Sequence, residues 1–163
     1  MTEPHPDRDT PIKLGSLGAF EAHMMACGSI TTHGILRTCT RHDVLALPSF
    51  GEKRLERVKT YAQVHGFHLR ETGESLQACA AEVYGNLHQT PVEVIIIHLI
   101  HLRHADVGRI SSVVVASLKS RGVVTIGDFR KLDISDFERA VNKYSPLYHS
   151  LTGWLLGAGI ISW

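Results

Sequence analysis

Apolar residues in this chain come in short clusters punctuated by glycine, at Gly28, Gly34, Gly51, Gly66, Gly122, Gly127 and Gly159. That pattern predicts brief helices joined by tight turns instead of long amphipathic rods. Helix starts are marked by a short polar side chain that can accept from first-turn amides, with an acid three residues later. Thr40 to Asp43, Thr90 to Glu93, Thr125 to Asp128 and Asp133 to Asp136 all fit. Pro91 adds a proline at the first helical position, where its missing N–H is no loss. Val92 to Arg103 therefore reads as a helix despite its β-branched run, with a buried strand as the rival.

Laid on itself at an offset of 93 residues, the chain aligns Gly34 with Gly127, Asp43 with Asp136 and Gly66 with Gly159 without a gap. Apolar positions follow in register: Met25 with Leu118, Ile30 with Val123, Val44 with Phe137, Tyr61 with Trp154 and Phe67 with Ile160. Glycine turns and core positions that stay aligned over about fifty residues argue for a duplication. The expected fold is all-α: two tandem, compact helix-hairpin-helix-type units joined by connecting helices. Residues 1–13, polar and carrying three prolines, form a flexible tail in this reading. The first unit spans 14–70, the connecting helices 71–104 and the second unit 105–163. Each unit is too small to bury much surface alone, so the connecting helices are expected to pack against both.

Composition narrows the function classes. At 163 residues and 44% hydrophobic the chain can build a core. Seventeen Lys+Arg against sixteen Asp+Glu leave a formal charge of +1, so nucleic-acid binding needs a local patch. Eleven histidines add charge only below about pH 6.5. Three cysteines, Cys27, Cys39 and Cys79, without CxxC spacing read as free thiols of a reducing, cytoplasmic compartment. The N-terminus lacks a signal-peptide pattern, and Val92 to Leu102 is too short for a membrane span.

The most informative stretch runs from Leu45 to Val58. A helix ends near Leu47, a turn passes through Pro48 to Gly51, and a second helix opens with Lys53 and Arg54 in its first turn. Unpaired amides and the helix dipole make such a start attractive to phosphate. Gly51 lets a backbone come close, Ser49 lies in the turn, and Lys53, Arg54 and Arg57 supply charge without reading sequence. From Thr31 to Arg70 seven Lys+Arg face three Asp+Glu, a local excess of four. The plainer alternative is a well-formed interhelical turn with a solvated basic face.

The run from Leu17 to Arg70, above all HDVLALPSFGEKRLERVKTYAQVHGFHL, resembles the C-terminal domain of the bacterial RNA polymerase alpha subunit. Leu45, Gly51, Lys53 and Leu55 carry the likeness, followed by Gly66-Phe67-His68-Leu69. LKSRGVVTIGDFRKLDISDFERA resembles the same family through Gly122, Ile126, Gly127 and Asp128, and the two matches cover about two thirds of the chain. The resemblance implies a helical fold with a helix-hairpin-helix, DNA minor-groove binding and contacts with transcription activators. The family enters the groove with an arginine and an asparagine on its first helix. Phe20 and His23 stand at those places in the first unit, Val113 and Ala116 in the second. In the second hairpin Tyr144 and Pro146 replace Gly51 and Lys53, which implies lost phosphate binding there.

The expected nucleic-acid site is thus Ser49, Gly51, Lys53, Arg54 and Arg57, with His23 beside it. Backbone contacts of this kind give modest, salt-dependent affinity. The competing expectation is a protein-interaction adaptor that keeps the fold without binding DNA, its partner a component of the transcription machinery or an oligomeric protein. No catalytic constellation, cofactor fingerprint or convincing metal set is present. His98, His101 and His104 drift around a helix, and Cys39-x-x-His42 lacks a second pair. The apolar end, with Trp154, Leu155, Leu156, Ile160, Ile161 and Trp163, either closes the second core or offers a surface for self-association.

Overall fold

The computed structural model describes residues 3–13, 17–100, 107–143 and 145–162, with the backbone alone at 107–110. It is all-α. Helices α1 (Ala19–Cys27), α2 (His33–Thr38), α3 (Arg41–Leu45) and α4 (Glu52–Val64) form the first half. Helices α5 (Leu76–Tyr84) and α6 (Val92–Ile100) follow, with a 3₁₀ turn at Leu87–Gln89 between them. The second half holds α7 (Val107–Ser120), a 3₁₀ turn at Ile126–Lys131, α8 (Ile134–Val141) and α9 (Pro146–Gly157). Among the described residues there is no strand, only two isolated bridges. The strand alternative for Val92 gives way to helix: Val92 to Ile97, Leu99 and Ile100 are all buried, and a segment apolar all round is satisfied only where every face is covered.

The helix starts follow the polar signals with one exception. Thr40 and Asp43 make a reciprocal capping box, Asp133 accepts from the Asp136 amide at 2.8 Å, and Asp128 accepts from the amides of Thr125 and Val124 at 2.9 and 3.0 Å. Thr90 is the exception: its hydroxyl donates back to the Asn86 carbonyl at 3.1 Å instead of capping α6.

The two halves coincide closely at the 93-residue offset. The 3₁₀ turn of the second half starts and stops where α2 maps, α8 begins where α3 maps, and α9 ends where α4 maps. Six of the seven left-handed residues among those described fall into three pairs at that same offset: Ser29 with Gly122, Ser49 with Asn142, and Gly66 with Gly159. A left-handed φ is costly for any residue except glycine, so its recurrence at three matching corners reflects shared backbone geometry.

Residues 3–13 depart from the flexible tail expected of a polar, proline-containing segment. They form a strap bonded to the core: the Ile12 amide donates to Thr31, the His33 amide to Thr10, the Gly34 amide to Arg8, and the His5 amide to Val83. Asp7 also binds Arg37 at 2.9 Å. The second half has the same device. The Ile126 amide donates to Thr90 and the Val92 amide to Val124, and the two bridges join Pro11 with Thr32 and Pro91 with Thr125. Both halves need a glycine under the strap: a Cβ on Gly34 would lie 2.4 Å from the Arg8 carbonyl oxygen, and one on Gly127 2.9 Å from that of His88. The straps are 80 residues apart and the bodies 93; the difference is filled by α6. This helix packs on α7, α9 and α2, so the connecting region does lie against both halves.

The apolar C-terminus is largely interior. Leu151, Leu155, Ile160 and Ile161 are buried and Trp154 is packed against the core, leaving Leu156 exposed. Trp163, Tyr144, His101 and His104 lie outside the described residues. No helix among the described residues is long and apolar enough to cross a membrane.

Candidate nucleic-acid interface

The first hairpin is built by α3, the turn 46–51 and α4. Leu47, Phe50 and Leu55 point inward and anchor the turn, while Ser49, Gly51, Glu52 and Lys53 are exposed. Ser49 takes a left-handed φ of 62°, which closes the turn. Gly51 is the N-cap of α4 and carries no side-chain cap, so the first-turn amides have no side-chain acceptor. Its φ is −108°, a value any residue adopts, and a Cβ there would meet nothing within 4 Å. Glycine at this corner is therefore not demanded by the fold; what it leaves is open space above the helix end. Gly51, Glu52, Lys53, Arg54 and Arg57 line one surface depression there.

The charges are arranged differently from a free basic face. Lys53 has no ion-pair partner among the described residues. Arg54 and Arg57 both converge on Glu21 of α1, a carboxylate only 2% exposed. Arg57 donates to Glu21 Oε1, and Arg54 Nε lies 3.8 Å from the same oxygen. Arg54 is fixed further by donating to the Ser49 carbonyl at 2.6 Å and by lying 4.2 Å over the Phe20 ring. The Arg57 hydrogen bond, with that of its own backbone amide, holds the Glu21 carboxyl below the usual carboxylate range, so it stays ionised. Glu52, in the first turn of α4, is paired with Arg41 at 3.3 Å.

Five of the six expected residues, Ser49, Gly51, Lys53, Arg54 and Arg57, lie along this hairpin. His23 is exposed on α1, one turn from Phe20, and interacts with the Cys27 thiol at 3.6 Å. Glu21 was not singled out by sequence: a lone acid in an apolar helix, more than thirty residues from its partners, carries no spacing signal.

At the same places the second half is closed. Ser145 accepts from the Tyr148 amide at 3.2 Å and caps α9, with Pro146 beside it. Lys143 is 3.9 Å from Glu138. Leu147, where Arg54 maps, is buried.

A second polar cluster lies beneath the first strap. The His33 Nε2 is 2.7 Å from the Tyr61 hydroxyl, which accepts from the Lys13 amide at 3.0 Å; the His33 Nδ1 is 3.7 Å from Asp7. Burial, with His65 close by, pushes the His33 pKa below the usual imidazole value. Cys39 is buried and bonded to the Ile35 carbonyl, while His42 is exposed, so the Cys39-x-x-His42 pair does not converge.

No protein-family model matches this chain, and neither does any curated protein or solved structure.

Proposed function

We propose that this protein is a DNA-binding or transcription-associated module that contacts the nucleic-acid backbone through its first hairpin, read as a helix-hairpin-helix. The observation that carries the proposal is the uncapped start of α4 at Gly51, open above and flanked by Lys53, which has no ion-pair partner among the described residues. Amides at a helix start and a nearby ammonium suit a phosphate oxygen, and neither reads a base. Gly51 and Lys53 are also the residues on which the likeness to the polymerase alpha C-terminal domain rests. In this reading the two halves are copies of one unit, strap included, and the second has lost its phosphate end.

A second reading, a protein-interaction adaptor that keeps the fold without binding DNA, draws on the neutralisation of the arginine pair by Glu21 and on the formal charge of only +1. Fold alone does not separate the two. Fluorescence anisotropy with labelled duplex and single-stranded DNA does. The DNA reading expects binding at low salt, with a log–log salt slope of about −2 to −3 for two or three phosphates, and its loss in Lys53→Glu/Arg54→Glu. Absence of binding at 20 mM salt, on the order of the lowest practical ionic strength, would overturn it and leave the adaptor.

A further inference from the structure

Glu21 of α1 is buried against the basic hairpin, and the two halves show what that acid accompanies. Glu21 sits in the first turn of α1 at 2% exposure, and Arg54, Arg57 and Phe20 are the side chains around its carboxylate and its arginines. Gly18 lies beside the site, where a Cβ would come within 2.7 Å of Glu21 Oε2 and the carboxylate would have to shift. At the 93-residue offset all four members are absent together: Glu21 maps to Val114, Arg54 to Leu147, Arg57 to Ser150 and Phe20 to Val113. A buried carboxylate is tolerated only with its cations in place, so joint presence in one half and joint absence in the other mark the four as one device. Its net charge is +1, two guanidiniums against one carboxylate, and both guanidiniums are already directed at an anion.

We infer that Glu21 is an internal counter-anion that aligns Arg54 and Arg57 toward the hairpin and withholds one of their charges, thereby setting how strongly this site holds a phosphate group. The inference rests on the phosphate-binding reading of the hairpin. Glu21 acts through the arginines and is a positioning residue. Removing its charge while keeping an acceptor, as in Glu21→Gln, frees a guanidinium for solvent and ligand. The result is tighter anion binding, the reverse of what loss of a merely structural contact produces.

The test uses the full chain and inorganic phosphate as probe, following the side-chain N–H signals of Arg54 and Arg57 by NMR. Glu21→Gln is expected to respond at about 5-fold lower phosphate than wild type, the sign and rough size of one unit charge about 4 Å away in a water-like dielectric. Glu21→Asp, which keeps the charge, should stay close to wild type. Arg57→Gln alters an exposed side chain and leaves Glu21 facing Arg54 alone, so the Arg54 response should disappear. Equal or weaker phosphate response in a folded Glu21→Gln overturns the inference, and so, independently, does a retained Arg54 response in Arg57→Gln. The same variants are then titrated with duplex DNA. There Glu21→Gln should bind about 5-fold more tightly, with a salt slope steeper by about 0.9. A phosphate response of the expected sign with no duplex binding by any variant would leave Glu21 as the counter-anion and remove the DNA reading.

Discussion

The first hairpin and its counterpart 93 residues later share a backbone and differ in what they leave unsatisfied. Ser49 and Asn142 take the same left-handed turn, and the helices that follow end at matching residues. Yet α4 starts without a side-chain cap and, among the described residues, without an ion pair at Lys53, whereas α9 starts with a serine cap and a proline. One is a helix end that water or a ligand must satisfy; the other satisfies itself. The straps differ in the same manner. Beneath the first, His33 and Tyr61 are hydrogen-bonded, with Asp7 of the strap 3.7 Å from His33; at the matching places of the second half are Ile126, Trp154 and Leu87. The lesson is that one backbone path accommodates polar fittings in one half and apolar ones in the other, so the backbone path alone does not explain why the first half carries the polar ones.

The sharpest way to break the comparison is to reverse charge on each hairpin in turn. Lys53→Glu/Arg54→Glu should lower duplex affinity at low salt by at least about 100-fold, the effect of losing roughly two phosphate contacts and adding repulsion, while Lys143→Glu should leave it unchanged. Equal losses from the two would mean that binding does not distinguish the halves.

Next in size are the glycines beneath the straps. Gly34→Ala forces a methyl against the Arg8 carbonyl and the Tyr84 hydroxyl. It should destabilise by about 3 kcal/mol, the upper range of overpacking, against about 1 kcal/mol for Gly127→Ala, where the approach is less close. Urea unfolding measures both.

Acid should act on the halves at different pH. His33 is favoured neutral in the fold, so unfolding takes up a proton there, and the first strap loses stability as pH falls below about 6.5. Hydrogen-exchange protection of the His33 and Gly34 amides should fall at about pH 5.5, within that window, while that of Ile126 persists. In the second half burial pulls the Asp128 pKa upward but is outweighed by the Thr125 amide, Lys131 and the Val124 amide, which hold it down to about 2. Its contribution, about 2 kcal/mol from the shift, is present above the unfolded value near 4 and lost as pH falls toward 2. Asp128→Asn should therefore be destabilised at neutral pH and converge with wild type in strong acid. Smallest are the corners: Gly66→Ala and Gly159→Ala should each cost about 1 kcal/mol, the penalty of a left-handed alanine, and Gly51→Ala, in extended backbone, only about 0.5 kcal/mol for a poorer N-cap.

Much of this architecture was legible in the sequence because its signals are local. Thr40-Arg41-His42-Asp43 and the spacing of glycines prescribe helix starts and corners within a few residues, and the 93-residue register was visible from them. The strap was not legible, since its hydrogen bonds join Thr10 to His33 and His5 to Val83, and nothing in a polar, proline-containing stretch names so distant a partner. In the hairpin, the helix end near Leu47, the turn through Gly51 and the helix start after it were legible from the local pattern. The neutralisation of two of its arginines was hidden, because Glu21 lies on another helix and reads as an ordinary first-turn acid.

The burial of α6 on every side has a consequence for how this molecule can be handled. A helix that packs on α2 as well as on α7 and α9 belongs to neither half. A fragment ending near Leu69 would expose the face of α2 that α6 covers, and one beginning near Val107 would lack the helix that roofs α9. Expressed separately, both pieces should be sticky and prone to precipitate. Gene fusions, tags and deletion series are therefore best placed outside residues 3–162, with the two halves treated as one inseparable folding unit.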